Sequence, residues 1–215
     1  MIRDPNAGAA PWVPVGGGIP ELAGAVQACR GCELWRPATQ AVFGAGASPA
    51  ALMLVGEQPG DREDLAGEPF VGPAGGVLDR ALTAAGIGSE TIYLTNAVKH
   101  FRFEERGKRR IHKTPAVGHV TACAPWFDAE LDAVDPAVVV CLGATAARAV
   151  FGRTAAVGRE RGRLQSARGR LAMITAHPSA VLRIRESGER AQAFDALVAD
   201  LRAAAEAARS APRDR

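Results

Sequence analysis

The 215-residue chain is poor in cysteine, with only four, and its formal net charge is just +3. So few thiols exclude the dense disulfide framework that staples small secreted domains. No apolar run approaches the about 18 to 20 residues that a helix needs to cross a bilayer. The first twenty residues, rich in Gly, Pro and Ala, hold neither the continuous apolar stretch nor the small-residue cleavage site of a secretory leader. The expectation is a cytoplasmic monomer without a membrane segment. The length suits one domain that buries well over half of its unfolded surface. A loose arm over 1–20, a single domain over 21–208 and a fraying tail over 209–215 are the expected boundaries.

What the chain does have is a set of four short, near-continuous apolar segments, at 51–55, 91–96, 137–142 and 171–175. Continuous rather than alternating runs mark strands buried on both faces. Between them lie helical patterns: Leu78, Ala81, Leu82 and Ala85 recur at helical spacing, as do Phe194, Leu197, Val198 and Leu201. Val120, Ala124, Phe127, Leu131 and Val134 share a further face, and Pro125 predicts that this helix starts close to Cys123. The alternation gives an α/β class: a three-layer αβα architecture around a central, mostly parallel four-stranded sheet. Ligands of such sheets bind at the carboxyl ends of the strands. Here those ends carry Gly56-Glu57-Gln58-Pro59-Gly60, Asn96 and His177-Pro178-Ser179, which should meet in one crevice.

The small net charge hides a local excess. Between Lys99 and Lys113 stand seven cations against Glu104 and Glu105, which makes a polyanion a reasonable partner. Within that stretch Lys108-Arg109-Arg110-Ile111-His112 ends in an imidazole. A basic loop attracts phosphate; one that also delivers His112 towards a carboxylate supplies a nucleophile or proton shuttle. The plainer alternative is a solvated basic run. The connection 99–118 is long enough to be functional or disordered.

The four thiols are Cys29 and Cys32, a C-x-x-C pair, with Cys123 and Cys141 eighteen positions apart. That second spacing does not form the tight knuckle of a zinc ribbon, and an iron-sulfur cluster tolerates it better than zinc does. Taken alone, Cys141, in the run Val138-Val139-Val140-Cys141-Leu142, reads as a small buried hydrophobe.

Cys29-Arg30-Gly31-Cys32, Gly56-Glu57-Gln58-Pro59-Gly60, Glu68-Pro69-Phe70-Val71-Gly72-Pro73-Ala74-Gly75, Thr95-Asn96-Ala97-Val98-Lys99, Cys123, Cys141 and His177-Pro178-Ser179 follow one another in this order. The pattern, from about Glu21 to Arg202, resembles the uracil-DNA glycosylase superfamily, its iron-sulfur branch known as family 4, and within that the UdgX type. Gln58 and the basic insertion ending in His112 depart from ordinary family 4 enzymes and are features of the UdgX type. The resemblance implies a 4Fe-4S cluster on Cys29, Cys32, Cys123 and Cys141. It also implies uracil excision from DNA, with His112 becoming bonded to the sugar.

Excision requires the nucleotide to leave the stack, which costs least in single-stranded DNA, the expected substrate. Phe70 would stack on the pyrimidine; otherwise it is a core phenylalanine. Asn96 would donate to O4 and accept from N3, or else it bonds its own turn. Glu57 would stabilise the cationic sugar and His177 the departing base, or they serve as a helix N-terminal acid and a loop hydrogen bonder. Gly56 and Ser179 complete the substrate contacts, Gln58 orients the insertion or the attacking ring, and Lys108, Arg109 and Arg110 hold phosphates. Two readings compete: a multi-turnover hydrolytic glycosylase, and a non-catalytic binder of single-stranded nucleic acid.

Overall fold

The computed structural model describes residues 8–211. The elements run α1 (Ile19–Val26), β1 (Ala45–Gly46), β2 (Leu52–Gly56), α2 (Asp61–Ala66), α3 (Pro73–Ala85), β3 (Ile92–Asn96), β4 (Phe103–Arg106), β5 (Arg109–His112), α4 (Val117–Val134), β6 (Val138–Leu142), α5 (Ala144–Phe151), α6 (Val157–Glu160), β7 (Leu164–Ala167), β8 (Arg170–Thr175), α7 (Pro178–Arg183) and α8 (Ser187–Ser210). The main sheet has the order β1-β3-β2-β6-β8-β7. Its four inner strands β3, β2, β6 and β8 are parallel, as the apolar runs predict. The expected four strands become six because β1 and β7 add antiparallel edges. Neither edge has an apolar run to announce it: β1 has two exposed residues, and β7 reads Leu-Gln-Ser-Ala with half its positions exposed.

Successive side chains of each inner strand enter opposite layers. Met53, Val55, Tyr93, Val139, Cys141, Ala172 and Ile174 pack with α1, α4 and α5. Leu52, Leu54, Ile92, Val138, Val140, Leu142 and Met173 pack with α3, α7 and α8. Each fully buried Val, Leu or Ile contributes about 1.5 to 3 kcal/mol of transfer free energy. Both layers therefore hold the parallel strands in place, with all their carboxyl ends on one side.

Three local expectations are corrected. The α4 helix begins at Val117, six residues before Cys123, with Pro125 inside it. Its first turn is fixed by His119, whose Nδ1 accepts from the Ala116 amide at 3.0 Å and whose Nε2 meets Glu33 at 2.6 Å. Full burial of Trp126 and Phe127 outweighs the hydrogen bond that Pro125 forfeits. The expected loose arm is docked from residue 8 onwards: Ala9 is buried and its amide donates to the Ala122 carbonyl at 2.7 Å. Of the expected tail, Arg209 and Ser210 belong to α8, while 212–215, like 1–7, lie outside the described residues. Finally, the long basic connection is a β4-β5 hairpin, paired from Phe103 with His112 to Arg106 with Arg109. Gly107, with φ of 60°, supplies the left-handed turn that a two-residue hairpin needs.

Among the described residues no helix is long and apolar enough to cross a membrane.

Candidate active site

The strand ends do converge. A cleft of about 800 Å³ is lined by Glu57, Gln58, Phe70, Asn96, His112 and His177, with Ser179 at its edge. The turn after β3 is stitched to the turn after β2: the Ala97 amide donates to the Gly56 carbonyl at 3.0 Å and the Val98 amide to the Glu57 carbonyl at 3.1 Å. Gly56 lies beneath the pocket wall, where a Cβ would come within 2.3 Å of Asn96 Oδ1 and 2.7 Å of Phe70 Cζ. Phe70 adopts φ of 59°, unusual for a bulky residue. Close packing of Gly75 against its carbonyl fits that conformation, because a Cβ there would overlap the Phe70 oxygen. Strain of this kind concentrates at ligand sites.

His112, at the end of β5, brings Nε2 to 3.5 Å from Glu57 Oε1 and 3.0 Å from Gln58 Nε2. The Gln58 amide is fixed in orientation, since its Oε1 accepts from the Arg102 amide at 2.9 Å while Nε2 donates to the carbonyls of Arg102 and Lys113, both at 3.1 Å. Its nitrogen has two hydrogens for three acceptors, the two carbonyls and His112 Nε2, and cannot itself accept, so the contact with the ring is a shared donation that favours the lone pair on Nε2. Burial pushes the His112 pKa below its usual value and Arg183 adds to this, while Glu57 opposes it. The side chain is about half exposed, and the lowered pKa favours the neutral imidazole. Gln58 thus bridges His112 and the base of the hairpin.

His177 caps α7, its Nδ1 accepting from the Ser179 amide at 3.1 Å, with the Ser179 hydroxyl at 2.8 Å. That bond puts the ring proton on Nε2, the atom left free to donate. Burial first, then the charge of Arg183 and the positive charge His112 carries when protonated, lower its pKa to about 4, so it donates as a neutral ring. Opposite it, Glu57 Oε2 accepts from the Thr145 hydroxyl at 2.5 Å. Sequence reasoning missed Thr145. Its only signal is the place two residues beyond Gly143, where β6 ends and α5 starts.

The three cations of the hairpin separate into two kinds. Lys108 and Arg109 are exposed at its tip. Arg110, expected to hold phosphate, is engaged within the protein. Its Nε lies 2.6 Å from Asp61 Oδ1 and its Nη1 2.6 Å from Asp64 Oδ2, and the guanidinium sits over the rings of Phe101 and Phe103. The residue is a latch that fastens β5, and with it His112, to α2.

The thiols separate as well. Cys29 and Cys32 both act on the Cys123 thiol, whose pKa burial pushes up to about 12. Amide and indole donors already point at them: Trp126 Nε1 and the Gly31 amide at Cys29 Sγ, 3.2 and 3.5 Å, and the Lys99 amide at Cys123 Sγ, 3.3 Å. Such N–H to sulfur bonds suit thiolates that hold a cluster. Cys141 does not join them. It lies fully buried in β6 between β2 and β8, and burial alone raises its pKa, without a contribution from the other three. His100, missed in the sequence, is buried beside Lys99 and feels the charge of Arg30 between the C-x-x-C thiols. Among the described residues no three His, Cys, Asp or Glu side chains are already gathered as a metal site. Cys29, Cys32 and Cys123 lie within electrostatic reach of one another, and Cys141 stands apart from them.

Comparison with known proteins agrees with this geometry. Residues 43–202 match the family described as the Uracil DNA glycosylase superfamily. The chain is 34% identical over 164 residues to a Type-4 uracil-DNA glycosylase of Thermotoga maritima, which covers 75% of this chain and 82% of that one. Identity to the Type-4 uracil-DNA glycosylase of Pyrobaculum aerophilum is 34% over 168 residues, 74% and 81% of the two chains. With that of Archaeoglobus fulgidus it is 37% over 126 residues, 59% and 60%. The chain spans only 54 to 60% of the length of the relatives from A. fulgidus, Sulfurisphaera tokodaii and Saccharolobus solfataricus. A family match over more than half of its length, on a fold that gathers the matched strand ends into one cleft, means that the chain belongs to the uracil DNA glycosylase superfamily.

Proposed function

We propose that the chain is a uracil-DNA glycosylase that acts once, becoming bonded through His112 to the sugar it has freed. The observation that carries this reading is the place of His112, whose Nε2 lies 3.5 Å from the Glu57 carboxylate and 3.0 Å from the Gln58 amide in the cleft. Uracil, turned out of the stack, lies on the open face of Phe70, and the Asn96 amide pairs with its O4 and N3. Cytosine presents the reversed polarity there and is refused. The bond from C1′ to N1 breaks with its electron pair leaving on uracil, whose O2 accepts from His177 Nε2. Glu57, steadied by Thr145, faces the cationic sugar. Nε2 of His112 then donates its lone pair to C1′, and the ring returns to neutrality by releasing the Nδ1 proton to solvent. An oriented ring outcompetes water because effective molarities of positioned groups reach about 10⁵ M or more.

Lys108 and Arg109 bind phosphates on either side of the flipped nucleotide, and single-stranded DNA is the preferred substrate because extrusion from it costs least. Cys29, Cys32 and Cys123 hold a 4Fe-4S cluster, with His100 in place of Cys141 as the fourth ligand. When bound, that cluster supplies structure rather than reaction chemistry, tying the N-terminal segment to α4. Denaturing electrophoresis after incubation with a uracil-containing oligonucleotide tests the reading. A slow band in amount equal to the enzyme is expected. Abasic product in excess of enzyme without such a band means a hydrolytic, multi-turnover glycosylase instead, and no uracil release at all means a binding protein.

A further inference from the structure

Behind the cleft lies an ion pair that touches no substrate position. Lys99 and Glu130 are both fully buried and in direct contact. Lys99 Nζ also donates to Thr95 Oγ1 at 2.7 Å and to the carbonyl of Asn96 at 2.9 Å. Glu130 in turn accepts from the Tyr93 hydroxyl at 3.1 Å, the Thr95 hydroxyl at 2.9 Å and the Gly44 amide at 3.0 Å. We propose that Lys99, braced by Glu130, is the positioning residue that fixes Asn96 for reading the base. The inference rests on the assignment of Asn96 as base reader.

Stability is a poor reason for such a pair. Taking both charges out of water costs several kcal/mol per ion, and apolar side chains of equal volume are often as stable or more so. What the pair provides is direction. Asn96 is the last residue of β3, and its carbonyl needs a donor once the ladder ends. Lys99 gives it one from three residues on, closing the turn 96–99 on the α4 side of the sheet, where Tyr93 and Thr95 also point. On the other side the same turn is tied to the carbonyls of Gly56 and Glu57. The peptide that carries the Asn96 side chain is therefore held from both faces. Its Oδ1 rests where even a methyl group on Gly56 would collide with it. A two-bond readout of uracil depends on that fixity, because a shift of about 1 Å at a reacting or recognising group costs about a hundredfold.

The test exchanges the pair for apolar residues, Lys99→Met with Glu130→Leu, and reads two quantities in the full chain. One is inhibition by free uracil, which reports the base-reading pocket alone. The other is the single-turnover rate on a uracil-containing single strand. The double variant is expected to fold with a lowered unfolding temperature, because the Tyr93 and Thr95 hydroxyls, the Gly44 amide and the Asn96 carbonyl lose a partner, and to bind uracil about tenfold more weakly, as the loss of one oriented hydrogen bond implies. Its rate should fall at least as far. A folded double variant with wild-type uracil affinity and rate overturns the proposal, since the pair is then only packing. If the double variant does not fold, Thr95→Val, which deletes one partner of Lys99, takes its place: weaker uracil inhibition supports the proposal and unchanged inhibition overturns it. Asn96→Ala is the control that separates the two assignments. If it leaves uracil inhibition unchanged, the base-reading role of Asn96 has failed, whatever the Lys99 variants do.

Discussion

Replacing Arg110 with Ala should uncouple sugar capture from base excision. A two-stranded hairpin is marginally stable by itself, so β4 and β5 depend on their attachments to the body. The chief one is Arg110, with charge-assisted bonds to Asp61 and Asp64. Asp61 is half exposed and its bond counts for little. Asp64 is fully buried, and apart from Arg110 it keeps the Thr39 amide at 3.1 Å. Stripping one partner from a buried carboxylate costs 3 to 5 kcal/mol in the limit; with the arginine partly exposed and one amide remaining, about 2 to 3 kcal/mol is expected. Spent on hairpin docking, that lowers the docked population relative to the free one by about 30- to 150-fold. Adduct formation should slow by a similar factor. Uracil release should fall far less, because Glu57, Phe70, Asn96 and His177 all lie outside the hairpin. Single-turnover assays that quantify uracil and cross-linked DNA in the same samples measure both. Arg110→Lys should not restore capture, since an ammonium cannot span two carboxylates as the guanidinium fork does. Equal loss of release and capture, or no loss of capture, would refute the latch.

Gly56→Ala should abolish uracil release while leaving the fold intact, because the added methyl group meets Asn96 and Phe70 at the pocket wall rather than the core; a released-uracil assay alongside circular dichroism checks it. Iron analysis should show Cys141→Ala retaining the wild-type content and Cys123→Ala losing it, with His100→Ala intermediate; iron loss in Cys141→Ala would restore the four-cysteine reading. Capture requires the neutral His112 ring, whose folded pKa is depressed, so its rate should stay flat as the pH falls through the usual histidine range near 6.5 and decline only below it; a decline already centred at or above that value contradicts the environment described. Removing Lys108 and Arg109 together should lower the salt slope of single-strand binding by about 1.4, with uracil inhibition unaffected.

How legible these features are in the sequence depends on how far burial dictates residue type. The inner strands are read from their runs because both faces are covered, so every residue of 138–142 is apolar. The edges β1 and β7 and the hairpin have solvent on at least one side, and Phe-Glu-Glu-Arg facing Arg-Arg-Ile-His has no apolar alternation to betray a strand. The candidate site is visible where turn residues end a buried strand, at Glu57, Asn96 and His177. It is obscure where a partner is set by tertiary approach: Thr145 to Glu57, Arg110 to two aspartates, and Lys99 to Glu130 across 31 positions. Counting thiols pointed to Cys141, whereas its place in the central strand makes it a core residue. Composition carries no information about which of two buried cysteines faces another thiol.

The central claim is the bond between one ring and one sugar. Proteolysis of the complex trapped on a uracil-containing single strand, followed by mass spectrometry of the nucleotide-bearing peptide, locates it directly. The sugar should be on His112, and His112→Ala should yield no adduct while still releasing uracil and leaving free abasic DNA. A sugar found on His100, His119 or a lysine, or a detergent-stable adduct formed by His112→Ala, would contradict the account.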